Sequence, residues 1–125
     1  MTKPRPDAPH GPPATQRPCP VAALAAEWAI LDDQITGTWQ QDDADRSLTL
    51  AMDIRRNATI AEALTIPPGS ATGAAFQAYA VGLSIAIAND PTTLPADRSR
   101  HLTQAAEGAR HLTRYLTTSR LAGCR

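Results

Sequence analysis

The chain has 125 residues, 42% of them hydrophobic, and its 12 basic and 12 acidic side chains give a formal net charge of zero. That length fits one domain, and that apolar content excludes a wholly disordered chain. The zero net charge disfavours a generic polyanion binder, whose domain is usually strongly basic. The acids concentrate in residues 20–64 and the arginines in residues 65–125. We expect these opposed segments to pack side by side; the alternative is a basic face that is free for a partner.

Eleven prolines divide the chain, and seven of them fall within the first twenty residues. Proline removes a backbone donor, so residues 1–19 are predicted to form a disordered, polyproline-II-like arm ahead of a helical domain over residues 20–125. The other four prolines lie at positions 67, 68, 91 and 95. Because proline inside a helix costs about 3 kcal/mol, this placement predicts helices between them. A further break around residues 37–43 brings the number of predicted helices to four.

The first helix is predicted to start at Pro20, where the missing N–H costs nothing, and to be followed by a turn over residues 36–43, where Gly37 loosens the helix. Its apolar side chains follow a 3-4-3-4 spacing that places them along one seam: Val21, Leu24, Trp28, Leu31 and Ile35. Such a seam is typical of a helix with one buried side.

The second helix is predicted over about residues 43–65. Its apolar seam is predicted to contain Leu50, Ile54, Ala61 and Leu64, with Asn57 among them. A buried asparagine can fix helix pairing at a cost in stability. We favour the other interpretation, in which Asn57 lies at the wet edge of the seam.

The third helix is predicted from about Ser70, as N-cap, to Asn89, in a segment without a charged residue between Glu62 and Asp90. A helix that is apolar all round is central to a fold or spans a membrane, and its alanine content, Gln77 and two glycines favour the first. Small side chains recur every four residues, at Ala74, Ala78, Gly82 and Ala86. We expect this strip to pack closely against a neighbouring helix; the alternative is a groove for a ligand or a partner helix.

The fourth helix, from about residue 95 to Gly123, contains the tetrapeptide Arg-His-Leu-Thr twice, at residues 100–103 and 110–113. At 100° per residue, one arc gathers a predicted core stripe: Leu102, Ala105, Ala106, Ala109, Leu112 and Leu116. Three arginines, Arg100, Arg110 and Arg114, are predicted on an outer face, where Glu107 can pair with Arg110. This face is our candidate contact for a phosphate or an acidic partner, although a solvated face is the simpler interpretation.

These elements predict an all-α fold, a small antiparallel up-down four-helix bundle. A three-helix core with one loosely docked helix is the alternative. In an up-down bundle, Cys19 and Cys124 lie at the same end, but in a reducing cytosol we expect both thiols to remain free.

Motifs for catalysis or for a cofactor are absent from the sequence, which contains no P-loop, dinucleotide-binding glycine pattern, H-E-x-x-H or G-x-S-x-G. His101 and His111 are about 15 Å apart along one helix and cannot share a metal. We therefore expect no cofactor, no metal and no enzymatic activity. With an apolar run that starts too late for a signal peptide, we expect a cytoplasmic protein, and the arginine- and alanine-rich composition suggests a bacterial source.

The segments LAAEWAILDDQI and LTIPPGSATGAAFQAYA resemble small helical proteins, mostly of alphaproteobacteria, with a tryptophan in the first helix and a proline turn before a later one. The matching features here are Trp28, Pro67, Pro68, Ser70 and Gly73. The resemblance implies a helical fold and implies no activity.

The leading functional hypothesis from the sequence is a non-enzymatic protein that acts through protein–protein contacts, with itself or another protein, as an accessory or regulatory subunit. A second is nucleic-acid association through the arginines of the fourth helix and Lys3, Arg5 and Arg17 of the arm. A third is a small-molecule binder with a pocket beside the strip on the third helix. No membrane association is expected.

Overall fold

A computed structural model describes residues 19–40 and 46–121, with side chains to residue 118. It contains four helices: α1, Pro20–Trp39; α2, Arg46–Ala63; α3, Ala71–Asn89; and α4, Pro95–Leu121. No strand occurs in these ranges, which confirms the all-α prediction. The predicted arm lies outside the described residues, apart from Cys19. The predicted break around residues 37–43 is confirmed at its start, because α1 continues through Gly37 and ends at Trp39.

Local chemistry sets the ends of the helices as the sequence predicts. Pro20 occupies the first turn of α1, and α4 begins at Pro95. The N-cap of α3 is Ser70, whose hydroxyl accepts a hydrogen bond of 3.1 Å from the Gly73 N–H. Buried Gln77 completes the turn before α3, because its Nε2 donates to the carbonyls of Ala63 and Ile66, each at 2.8 Å.

The core lies between α1, α2 and α3. Its buried members are Val21, Leu24, Ile60, Ala63, Leu64, Phe76 and Ala80. The predicted seam of α1 is confirmed, since Val21, Leu24 and Ile35 are buried while Trp28 and Leu31 are half-buried. Trp28 packs on the rings of Phe76 and Tyr79, with centroid distances of 6.2 and 5.3 Å.

Contacts along the chain give the helix directions of an up-down bundle. Cys19 lies beside Gly69 and Trp28 beside Tyr79, so α1 and α3 run in the same direction. Arg98 donates from Nε to the Ala88 carbonyl at 2.8 Å, whereas Gly108 lies against Val81, so α3 and α4 are antiparallel. The most extensive contact of α4 is with α3. An open groove therefore remains between α2 and α4.

Two arginines of α2 join it to α1. Arg55 forms a two-pronged ion pair with Glu27, and Arg56 bridges Asp32 of α1 and Asp53 of its own helix. Hydrogen bonding to the Arg55 guanidinium lowers the pKa of the Glu27 carboxyl. The acids of α1 thus pair with arginines of α2 rather than with those of α4.

The predicted seam of the second helix is right for Leu64, which is fully buried just after α2, but it is wrong for Leu50, Ile54 and Asn57, which are exposed. Leu50 and Ile54 are 60% and 61% exposed, while Thr49, Thr59, Ile60 and Ala63 face the core. The buried face lies roughly 100° away from the predicted one, given 100° per residue. Polar residues can occupy the inner side of α2 because their polar groups have partners. The Thr59 hydroxyl donates a hydrogen bond to the Arg56 carbonyl, and the Arg56 side chain pairs with Asp32.

The predicted core stripe of α4 is confirmed at Ala105, which is buried, and in part at Ala109 and Leu112, which are half-buried, but it is wrong at its other members. Leu102 and Leu116 are 45% and 51% exposed, whereas Ala105 and Gly108 are buried. Gly108 lies directly against the side chains of Leu64 and Val81, with no room for a β-carbon at its place. Helices α3 and α4 therefore approach each other along a line of small residues, and Leu102 and Leu116 face solvent.

Candidate functional site

A cleft of about 470 Å³ opens between α2, α3 and α4, and we call it the α2–α4 cleft. Its apolar lining comprises Ile54, Ala58, Ile60, Ala61, Leu83 and Ile87. Its polar lining comprises Asn57, Ser84, Arg100, His101 and Gln104. This size lies in the usual range for small-molecule sites, which are mostly apolar with a few polar groups that fix orientation.

Most polar side chains of the cleft lack a partner within the described part of the chain. Asn57, Ser84, His101 and Gln104 form no side-chain hydrogen bond or ion pair there. Asn57 is exposed to solvent, as favoured from the sequence. Ser84 is only 1% exposed, and His101 and Gln104 are half-buried. These side chains thus present polar groups at the cleft that a ligand can reach.

Arg100 carries the positive charge of the cleft. Its Nη2 donates to Asp97 Oδ1 at 2.9 Å, and its side chain is 57% exposed. A guanidinium has five N–H donors in a planar fork. Most of them remain free for an anionic group in the cleft.

The other two predicted arginines lie elsewhere on α4. Arg110 and Arg114 lie along a shallow surface of α4 alone, one helical turn apart, and neither forms an ion pair with a described residue. Arg110 is about 15 Å along the axis from Arg100, given 1.5 Å per residue. The predicted ion pair between Glu107 and Arg110 is not formed. Glu107 Oε2 instead lies 3.7 Å from His111 Nε2. The structure therefore divides the predicted basic face in two.

The small-residue strip of α3 is buried only at its start. Ala74 is 7% exposed, but Ala78, Gly82 and Ala86 are exposed, and a β-carbon on Gly82 would meet no atom within 4 Å. Within the described residues, no neighbouring helix covers these three positions. The expected close packing against a neighbouring helix is therefore wrong for them.

This strip belongs to a larger apolar surface that we call the α3–α4 face. Its large members are Tyr79 and Ile85 on α3 and Leu102 and Leu116 on α4, which are 41–51% exposed. Between them lie Ala78, Gly82 and Ala86 of α3 and Ala106 of α4, all exposed. Helix α3 supplies no charged side chain to this surface.

The cleft and the α3–α4 face lie on opposite sides of the contact between α3 and α4. On α4 this contact runs through Ala105 and Gly108, and at 100° per residue Arg100 lies to one side and Leu102 to the other. On α3 the contact runs past Val81. Ser84 lies on the side of the cleft, and Ile85 lies on the other side, in the α3–α4 face. The two surfaces can therefore bind different partners.

Cys19 lies where the first turn of α1 meets the turn before α3. The Gly69 N–H donates to its sulfur at 3.2 Å, and a β-carbon on Gly73 would lie 2.8 Å from the same atom. Burial alone raises the pKa of the Cys19 thiol, but the Ser70 hydroxyl and nearby backbone N–H groups outweigh it and lower the pKa below the ordinary value. Cys19 is a free thiol, and Cys124 lies outside the described residues.

Two general features of the described residues bear on metals and membranes. No group of three or more His, Cys, Asp and Glu side chains is placed to hold a metal ion in residues 19–40 and 46–121. Helix α3 is long and apolar enough to cross a membrane by length and composition, a property that core helices of soluble proteins share.

The α2–α4 cleft was not predicted from the sequence, although Asn57 and Arg100 were singled out there. The missing signal was Gly108: a glycine inside a long helix costs about 1 kcal/mol relative to alanine, and this one marks a close approach of two helices.

Comparison of the chain with protein-family models, with curated proteins and with solved structures finds no match.

Proposed function

We propose that the protein acts without catalysis, through protein–protein contacts, and that the α3–α4 face is its contact surface. The observation that carries the proposal is the exposure of Tyr79, Ile85, Leu102 and Leu116 around a helix without charges. Exposed apolar side chains of this kind are typical of an interaction site. The occupant we propose is a second copy of the chain.

The chemistry of the face favours a second copy. In a two-fold dimer the same patch meets itself, so any charge near the axis would meet a like charge. The α3 part of the face has no charge, and its centre at Gly82 allows two helices to approach closely. The basic side chains nearest to it, Arg110 and Arg114, lie on the outer side of α4, where a polar rim is expected.

The size of the face also suits a dimer. Helix α3 has 19 residues and is about 28 Å long at 1.5 Å per residue. Two adjacent helices are about 20 Å wide, which gives a projected area of roughly 560 Å². Standard interfaces bury about 800 Å² per partner, counted over the uneven accessible surface, so the two areas are of the same order.

Light scattering coupled to size exclusion tests the proposal with two matched variants. Gly82 and Gly37 are both exposed helical glycines, a β-carbon added to either would meet no atom within 4 Å, and Gly37 is on α1, away from the face. We expect the natural chain and Gly37→Lys to have twice the 13.3 kDa mass of one chain. Gly82→Lys should have the mass of one chain, because like charges across an interface cost several kcal/mol.

A single-chain mass for the natural protein at about 100 µM would contradict the second copy as occupant, since a dimer with a Kd of about 1 µM is mostly assembled at that concentration. A dimer that withstands Gly82→Lys would place the interface elsewhere.

Vesicle flotation of the natural chain tests whether the apolar helix α3 binds a membrane. We expect no flotation, in keeping with a cytoplasmic protein off the membrane.

The nucleic-acid alternative uses Arg100, Arg110 and Arg114 of α4 together with Lys3, Arg5 and Arg17 of the arm, which lies outside the described residues. Arg110 and Arg114 have no ion-pair partner among the described residues. Binding through these two arginines alone would be weak, and because few phosphates are contacted its dependence on salt would be shallow, with a log–log slope of about −2. Binding of a duplex at low salt that Arg110→Gln and Arg114→Gln abolish together would favour this alternative over protein contact.

A further inference from the structure

We propose that the α2–α4 cleft is a binding site for a small amphipathic monocarboxylate, a molecule with an apolar body and one anionic head. The inference is independent of the dimer, because the cleft and the α3–α4 face lie on opposite sides of the contact between α3 and α4.

The lining of the cleft gives the apolar body its place. Ile60 and Leu83 lie at the side of the core, and Ile54 and Ile87 are 61% and 37% exposed. An apolar chain laid along these side chains removes both its own surface and theirs from water, which is favourable in proportion to area. A polar sugar or a free inorganic ion would gain nothing from this part of the cleft.

The polar residues specify the head. Arg100 is the one formally charged side chain among the described residues that line the cleft, and no acid lines it. The amides of Asn57 and Gln104 offer neutral donors beside the guanidinium. Because Asp97 already pairs with Arg100, the cleft offers at most part of one positive charge, and the free guanidinium donors match the planar geometry of a singly charged carboxylate. A phosphate monoester carries nearly two charges and would be compensated less still.

The bond between Arg100 and Asp97 orients the guanidinium without consuming it. Asp97 engages Nη2 alone, at 2.9 Å, and lies in the first turn of α4. The side chain is thereby held at the mouth of the cleft, with its remaining donors available to a ligand. This preorganisation lowers the entropic cost of binding.

Titration of the ¹⁵N-labelled full chain with decanoate, followed by amide chemical shifts, tests the site. We expect saturable shifts at Asn57, Ser84 and His101, on all three helices of the cleft. Decylamine, which has the same body with a cationic head, and acetate, which has the head alone, should each bind at least about tenfold more weakly. Equal binding of decanoate and decylamine would overturn the assignment of the head, and no saturable shift with decanoate would overturn the site.

Two exposed arginines of α4 provide the matched variants. Arg100→Gln should raise the decanoate Kd by at least about tenfold, whereas Arg110→Gln, which lies outside the cleft, should leave it unchanged. Equal effects of the two variants would refute a specific role for Arg100. The titration is repeated on Gly82→Lys, and unchanged decanoate binding there separates the site from the dimer whatever the oligomeric state proves to be.

Discussion

Replacing Gly108 by alanine tests the packing that orients α4. A β-carbon at this position would overlap a methyl group of Leu64 and lie 3.0 Å from Cγ2 of Val81. Leu64 is fully buried and Val81 has a stiff, β-branched side chain, so neither can move aside freely. Overpacking of this kind costs about 1–3 kcal/mol. The higher helix propensity of alanine relative to glycine offsets at most about 1 kcal/mol of this cost.

The matched control is Gly37→Ala, because that glycine is helical and has open space around it. Only the propensity gain operates there, so Gly37→Ala should be neutral or stabilising by up to about 1 kcal/mol. We expect Gly108→Ala to be less stable than Gly37→Ala by about 1–3 kcal/mol, a difference of about 4 °C or more in Tm for a domain of this size. Urea unfolding gives the free energies directly. Equal stabilisation by the two substitutions would refute the close contact of α4 with Leu64 and Val81.

Two further predictions concern buried polar groups. Gln77→Met should lower the free energy of unfolding by about 1–2 kcal/mol, because the carbonyls of Ala63 and Ile66 lose their donor, while exposed Gln34→Met should change it little in the same urea experiment. In a Cys124→Ser chain, alkylation of Cys19 should have a pH midpoint below that of an ordinary thiol, because its pKa is lowered; a midpoint at or above the ordinary value would contradict this. The pKa of the Cys19 thiol is lower in the folded state than in the unfolded state, so its ionisation adds to the free energy of unfolding. This contribution is fully present above the pKa of the unfolded thiol, and it is lost as pH falls through the pKa of the folded thiol.

The sequence predicted the helices well because their signals are local. Pro20, Ser70 and Pro95 act within one turn of where they stand, and the structure places helix starts at all three. The seam of α1 was also predictable, since its large apolar side chains share one face and its acids pair outside the core with Arg55 and Arg56.

The orientations of α2 and α4 were not predictable from periodicity, because that method gives weight to large apolar side chains. On α2 the inner side includes Thr49 and Thr59, which the method counts as polar surface. On α4 it includes Gly108, which contributes no hydrophobicity and acts only through the space it leaves. The cleft was beyond prediction for the same reason, since it exists only where α4 turns its polar side toward α2.

Gly108 therefore determines more than one contact. It lies about 120° from Leu102 and about 80° from Leu116 around α4, given 100° per residue, so burying these two leucines instead would require α4 to rotate by about 80–120°. Such a rotation would carry Arg100 out of the cleft and remove Leu102 and Leu116 from the α3–α4 face. Both proposed surfaces thus depend on the packing of one glycine against Leu64 and Val81. A substitution at Gly108 that leaves the chain folded should weaken decanoate binding and dimerisation together, whereas Arg100→Gln and Gly82→Lys should each weaken one of them.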